Sequence, residues 1–337
     1  MTAGQGAAIF GCAGPALLPQ EADFFRDYDP FGFIIFARNV ETPDQMRRLT
    51  GDLRATVGRD APILIDQEGG RVQRLRAPYW REWHPPLDTV MLAGPNAARA
   101  MALQAMIIAS ELRALGIDAN CAPVADIATD ATHPFLRNRC YGTGAGTVTQ
   151  IARAVADAHL GAGVLPVIKH MPGHGRAVAD THHDLPTVTT SLADLMTTDF
   201  APFRALNDLP MAMTAHIVFS AIDPDLPATQ SHDVITVIRQ EIGFSGLLMT
   251  DDLNMNALAG DLTGRTARSM AAGCDIALHC KGEMAQMIAV ATAAGAMSAA
   301  AQSRARAALA RRVPASPIDI AAAEAELSGL LGQGGHG

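Results

Sequence analysis

Positive charge is the first thing this 337-residue chain is short of. It carries 26 Lys and Arg against 34 Asp and Glu, a formal net charge of −8 with histidines neutral. An acidic chain has no electrostatic footprint for nucleic acid or an anionic membrane. No basic run rescues such a partner; LARR, Leu309 to Arg312, is short and follows an alanine-rich stretch. Cysteines are scarce too. The five, Cys12, Cys121, Cys140, Cys274 and Cys280, are odd in number and contain no C-x-x-C pair. Buried thiols in a reducing compartment are expected, not a disulfide framework. Long apolar runs are missing as well: none reaches the ~18 residues of a membrane helix. The opening MTAGQGAAIFGCAG has no basic start, and its apolar run AAIF is too short for a secretion signal. It reads as a first strand, and the chain as cytoplasmic. No linker, repeat or low-complexity run divides the sequence, so one large α/β domain is expected over 1–330, with a flexible tail at 331–337.

What the chain does have is 49% apolar residues, arranged as short runs. AAIFGC (Ala7–Cys12), FGFIIF (Phe31–Phe36), PILIDQ (Pro62–Gln67), IDANCAPV (Ile117–Val124), GVLPVIKH (Gly163–His170), MAMTAHIVF (Met211–Phe219), GLLMTDD (Gly246–Asp252) and CDIALHC (Cys274–Cys280) recur along it. Most are nearly continuous in apolar residues, as strands buried on both faces are. Helical patterns fall between them. TPDQMRRLTGDLRATVG opens with Thr42 as N-cap and Pro43 at the first helical position. PNAARAMALQAMIIASELRALG, TVTQIARAVADAHLGAG, SLADLMTTDFAPFRALN, SHDVITVIRQEIG and MSAAAQSRARAALARR follow the same plan. Eight buried strands alternating with helices predict a single-domain (β/α)8 TIM barrel, with room for an irregular strand or two. A doubly wound open sheet is the rival. It usually shows a glycine-rich phosphate loop after its first strand. GCAGP at Gly11–Pro15 lacks that spacing.

Barrel active sites sit where the strands end. Strand three runs into Asp66-Gln67-Glu68, strand five into Lys169-His170, strand six passes through His216, strand seven ends in Asp251-Asp252, and strand eight carries His279. Any one of these alone reads as a cap or a surface residue. Five on one rim point to a site. After Lys169-His170, the breakers Pro172, Gly173 and Gly175 force a loop, and such loops commonly carry chemistry. Within it Asp180 precedes His182 by two residues, so in extended chain both side chains face one way. The carboxylate can hold the imidazole tautomer and raise its basicity, which makes His182 an acid/base candidate. The bland reading is a solvated polar loop. A metal site is the rival reading, since His170, His174, His182, His183, Asp184 and His216 are rich in ligands. Neither H-x-H nor H-E-x-x-H is present. In MTDDLNM, adjacent aspartates alternate in direction, so one should enter the rim and the other support or cap. An ionised aspartate there can attack carbon or bind metal. In IDQEGGRVQR, Asp66 offers an acceptor, Arg71 and Arg74 offer donor forks, and Gly69-Gly70 permit close backbone approach. Carboxylate plus arginine suits a ligand with many hydroxyls.

FGFIIFARNV, LIDQEGGRVQRL, KHMPGHG…DTHHDLP and MTDDLNM occur in this order. Together they resemble the bacterial β-N-acetylglucosaminidases of glycoside hydrolase family 3, the cytoplasmic enzymes of cell-wall recycling. The resemblance covers most of the chain. It implies Asp251 as nucleophile, His182 as acid/base and Asp180 as the residue that orients it. It also implies substrate contacts by Asp66, Arg74, Lys169, His170 and Arg139. RCYG stands where the family more often has R-S-F-G, so Arg139 is the loosest of these matches. The implied reaction is retaining hydrolysis of terminal β-linked N-acetylglucosamine from peptidoglycan fragments, that is, N-acetylglucosaminyl-anhydromuramic acid and its peptides. No metal or organic cofactor is implied, a small sugar is the only partner, and a monomer is expected. The breakers and small residues of the loop further suggest that roughly 173–183 swing inward when sugar binds. A phosphorylase on the same fold and a metal-dependent barrel hydrolase remain the alternatives. His174, His183, Asp184, His216 and His279 have no assigned role.

Overall fold

The computed structural model describes residues 3–177, 185–314 and 318–332. Its strands are β1 (Gly6–Gly11), β2 (Pro30–Ile35), β3 (Ile63–Ile65), β4 (Ala119–Asn120), β5 (Leu165–Met171), β6 (Thr187–Val188), β7 (Met211–Thr214), β8 (Val218–Phe219), β9 (Leu247–Asp252) and β10 (Ile276–His279). Eight of them close a barrel in the order β1-β10-β9-β7-β5-β4-β3-β2. Every neighbouring pair is parallel, for example Phe33 beside Ile63, Val167 beside Met211 and Ala8 beside Ala277. Helices between successive strands complete an α/β TIM barrel, as the alternation of buried runs predicts.

The barrel interior is a packed plug. Ile9, Ile34, Leu64, Val167, Met211, Met249 and Ile276 form one cluster of buried side chains inside it. Two further apolar clusters lie between sheet and helices. Both faces of each strand are therefore buried, which is why the runs do not alternate. Each fully buried Leu or Ile contributes ~1.5–3 kcal/mol. The helices start where local chemistry says. Thr42 Oγ1 accepts from the Gln45 N–H at 3.2 Å, Pro43 occupies the first position, and Gly58 ends the helix with φ of 62°. Met46, Leu49 and Leu53 form its buried face.

The structure departs from the sequence reading in four places. MAMTAHIVF is not one strand. The barrel strand stops at Thr214, and Val218–Phe219 instead pairs with Thr187–Val188 in a separate parallel sheet. His216 therefore lies past the end of β7, not within a strand. Second, β3 and β4 are short: β3 stops at Ile65, and β4 stops at Asn120, where the Ala122 N–H turns back onto the Asn120 carbonyl before the chain bonds β5 again through Ala122, Pro123 and Ala125. Third, SLADLMTTDFAPFRALN makes two short helices, Leu192–Thr197 and Ala201–Ala205. Pro202 fits the first turn of the second and not the interior of a longer one. Finally, a helix at Ile320–Gly332 runs past the expected start of the tail at 331. Its Ala323 and Leu327 are buried in the cluster shared with Ala97, Ala100 and Met101. No described helix is long and apolar enough to cross a membrane.

Candidate active site

The C-terminal strand ends open on a cavity of about 280 Å³. Asp66, Arg74, Arg139, Lys169, His170 and Asp251 all line it. They come from β3 and its loop, the segment before the Ala145–Gly161 helix, β5 and β9. Residues up to 185 positions apart in sequence thus meet at one mouth because a barrel delivers every strand end to the same face.

The floor is a charge network. Lys169 Nζ donates to Asp66 Oδ1 at 2.9 Å and reaches Glu68 Oε1 at 2.6 Å. Arg74 Nη2 donates to Asp66 Oδ2 at 2.9 Å. Arg139 grips Glu68 through two bonds of 2.9 Å each. Burial by itself would raise the Asp66 carboxyl, but Lys169 and Arg74 outweigh it and hold it well below the usual carboxylate range. Glu68 is depressed in the same way against its burial, by Arg139 and Lys169. Burial opposes the Lys169 charge, and the two carboxylates more than restore it. Every member is ionised, and the bidentate fork fixes the Arg139 plane. Breaking such a buried pair from one side costs about 3–5 kcal/mol.

Beside this network lies a second one around Asp126. Its Oδ2 is 2.7 Å from His170 Nδ1, so that nitrogen carries the proton and Nε2 is left as acceptor, 3.4 Å from Arg139 Nη2. Asp126 Oδ1 also accepts the main-chain N–H groups of His174 at 2.7 Å and His170 at 3.2 Å. Asp126, His170 and His174 place ligand atoms within 4.8 Å of one another, the one such metal-compatible group among the described residues. The carboxylate is already committed to three N–H donors and a guanidinium stands next to His170. The arrangement orients imidazole rings better than it holds a cation.

Asp251 and Asp252 end β9 with different partners. Asp252 Oδ1 accepts from the Asn254 and Cys280 N–H groups at 3.2 and 3.3 Å, so it ties the turn after the strand. Asp251 takes only the Asp252 N–H, at 2.8 Å, among the hydrogen bonds described. Burial pushes both carboxyls up. For Asp251 the interactions with His216 and His170, the Asp252 N–H it accepts and Lys169 outweigh burial and its pKa falls; for Asp252 burial prevails and it stays raised. A neutral-pH site therefore holds an ionised, weakly tied carboxylate on its wall. His216 Nε2 donates to the Asp252 carbonyl at 3.1 Å, and His279 Nδ1 faces Asn254 Nδ2 at 2.7 Å. Both histidines brace the β9 turn. Arg71 sits at the mouth, its guanidinium carbon 3.8 Å from the Phe135 ring centre.

Asp180, His182, His183 and Asp184 lie outside the described residues, as does most of the segment expected to swing. The glycines before it have a packing reason. A Cβ on Gly175 would lie 1.8 Å from the Ile127 carbonyl oxygen, and one on Gly173 would lie 3.0 Å from that of Asp199 at a φ of 149°. Glu68 and Asp126 were not singled out as site residues from the sequence. One signal existed for each: an acid in the apolar run CAPVADIA, and a second acid two residues after Asp66, both needing partners if buried.

The pocket geometry can be set beside known proteins. The N-terminal domain of glycosyl hydrolase family 3 matches residues 20–313. A β-hexosaminidase from Alkalilimnicola ehrlichii is 37% identical over 282 residues, covering 82% of this chain and 80% of that protein. One from Bordetella avium is 35% identical over 283 residues, with 82% and 80% covered. The NagZ structure from Neisseria gonorrhoeae in complex with N-trifluoroacetyl-D-glucosamine superposes with a TM-score of 0.87, at 27% identity, over 98% of this chain and 99% of that one.

Proposed function

The chain belongs to glycosyl hydrolase family 3 and is a glycoside hydrolase of the β-N-acetylhexosaminidase class, and from that premise we propose that it releases terminal, non-reducing β-linked N-acetylglucosamine from peptidoglycan fragments with retention at the anomeric carbon. The observation that carries this reading is the Asp251 carboxylate, ionised and weakly tied on the wall of the pocket that Lys169, Arg139 and Asp66 also line. A carboxylate in that state is a nucleophile. Its oxygen forms a bond to the anomeric carbon as the glycosidic C–O bond breaks, and His182 gives its proton to the leaving oxygen. Water then loses a proton to His182, attacks the same carbon, and the Asp251 carboxylate departs. Asp180 holds the His182 tautomer and stabilises its charged form. Two such displacements restore the original configuration.

Asp66 and Arg74, with Lys169, His170 and Arg139, bind the sugar hydroxyls and the acetamide. A cavity near the lower end of ligand-site volumes, about 300 Å³, suits one sugar ring and favours removal from the chain end. The N-acyl glucosamine bound by the Neisseria gonorrhoeae relative supports the same choice of sugar. Residues 1–330 act as one catalytic barrel, monomeric and cytoplasmic, with no cofactor in the chemistry.

The test is product analysis. Proton NMR during cleavage of N-acetylglucosaminyl-anhydromuramic acid should show β-N-acetylglucosamine first, and a slow fluoroglycoside should add its sugar mass to the Asp251 peptide. An α product first, or label on another residue, overturns the mechanism. Sugar 1-phosphate in phosphate buffer would make it a phosphorylase instead.

A further inference from the structure

One pocket residue is used by nothing above. His174 lines the cavity and is only 7% exposed. Among the described residues neither its Nδ1 nor its Nε2 has a hydrogen-bond partner. The ring is nonetheless held. Its main-chain N–H is bound to Asp126 Oδ1 at 2.7 Å. It also meets the His170 ring nearly edge-on, with 5.3 Å between centroids and 66° between planes. Asp66, Arg74, Arg139, Lys169 and His170 each have a partner inside the protein. His174 alone among these neighbours is anchored through its backbone and leaves both polar ring atoms unmatched. Buried polar atoms without partners are rare, and in a binding site they mark where a ligand supplies the bond.

We propose that His174 is a further substrate-contacting residue, which gives one N–H donor and one nitrogen acceptor to neutral hydroxyl or acetamide groups of the sugar in the pocket. This rests on the glycosidase reading given above. The neighbours say why the ligand is neutral. Asp126, which holds the His174 main-chain N–H, already accepts three N–H bonds, and Arg139 stands 3.4 Å from His170 Nε2, so a cation beside this ring would have to displace bonds already made and would face a guanidinium. A carboxylate ligand, which only accepts, would leave one ring nitrogen unmatched unless the imidazole were charged, and burial, followed by the neighbouring His170, lowers the His174 pKa to about 3. A neutral ring both donates and accepts. It also adds no positive charge beside an anomeric carbon that becomes positive in the transition state.

The test pairs a variant with a substrate series. His174→Phe keeps a ring and removes both polar atoms. On p-nitrophenyl N-acetyl-β-glucosaminide its kcat/KM should fall about tenfold for each bond lost, with an unchanged melting temperature. The decisive readout is the set of monodeoxy and deacetylated glycosides. For the wild type, removing the group that His174 holds should cost about tenfold; for His174→Phe the same removal should cost nothing more. The position of that vanished penalty says whether a hydroxyl or the acetamide is the partner. Full penalties on every analogue, or wild-type kcat/KM in the variant, overturn the assignment. If His174→Phe does not fold, 15N NMR of the wild-type imidazoles during titration with N-acetylglucosamine replaces it: the His174 ring nitrogens must shift, and unmoved signals overturn the assignment. A wild type that cleaves no N-acetylglucosaminide sinks the glycosidase reading, which the NMR titration does not depend on.

Discussion

Asp118 and Asp275 precede β4 and β10 at the bottom of the barrel; Asp66 and Glu68 follow β3 at the top. All four are acids flanked by cations. Asp118 takes Arg312 at 2.6 Å and Arg54 at 3.1 Å, and Asp275 takes Arg239 at 2.8 Å and Arg304 at 2.5 Å. The bottom pair also accepts strand N–H groups, Ile63 N–H at 2.8 Å and Leu248 N–H at 3.0 Å. Their oxygens are committed to holding strand to strand and helix to strand. The top pair binds only side chains, and those side chains face the cavity. Beside them Arg74 Nε and both His174 ring nitrogens have no partner among the described residues. The same residue types thus make a clamp at one end and a receptor at the other. What differs is whether the acids bond the backbone of neighbouring strands or only the side chains that line the pocket.

Substitutions at the two ends should separate these roles. The largest effect is expected at the top. Asp251→Ala should lower kcat by about 10³-fold or more, as loss of a nucleophile does, with little change in urea midpoint. Residual activity near wild type would remove it from the chemistry. Next comes the bottom clamp. Asp275→Ala leaves Arg239 and Arg304 without their carboxylate, and urea unfolding should show a loss of about 3 kcal/mol. Below the transition KM and kcat should match the wild type; a catalytic defect in folded protein would erase the contrast between the ends.

A smaller effect is expected from pH. Burial lowers the pKa of His159 and His279 to about 4. The unfolded chain takes up protons at these groups near pH 6.5, whereas the folded chain stays neutral until about 4. The unfolded state binds more protons across that window, so stability is full above pH 6.5 and falls as pH drops toward 4. His159 also bonds the Val155 carbonyl at 2.8 Å and Asn120 Nδ2 at 2.9 Å, a pattern that needs the neutral ring. Denaturant midpoints measured from pH 7 to 4 should decline, and His159→Gln should flatten the decline. An unchanged slope in that variant would assign it to other groups. The smallest effect sets the scale outside both charge networks: Thr42→Ala, which removes a helix cap, should cost about 1 kcal/mol in thermal or urea unfolding and leave kinetics alone.

Much of this was legible beforehand. A parallel barrel buries both faces of its strands, so the eight apolar runs stand out without tertiary information. Helix starts such as Thr42-Pro43 are local as well. Asp66, Arg74, Arg139, Lys169, His170 and Asp251 were readable as a set because motifs preserve residue type and spacing. Glu68 and Asp126 were not, since their importance lies in contacts across 71 and 44 positions, with Arg139 and His170. MAMTAHIVF looked like one strand because apolar patterning does not record where a chain changes sheets. Gly173 and Gly175 also have a packing reason that the sequence does not show, since a glycine kept for space and a glycine kept for freedom are the same letter.

By itself, then, the sequence determined the fold class, the family and the chemical inventory of the rim, because these depend on hydrophobic periodicity and short-range order. Only the tertiary structure decided which groups are already satisfied. Of the two aspartates that line the pocket, it bound Asp252 to a turn and left Asp251 with one backbone bond among the described residues. It clamped Arg139 on Glu68, committed Asp126 to His170, and left the His174 ring without a hydrogen-bond partner among the described residues. A polar group's role is set by what remains of its hydrogen-bonding capacity once burial has removed water, and that remainder exists only when distant strands have been brought side by side.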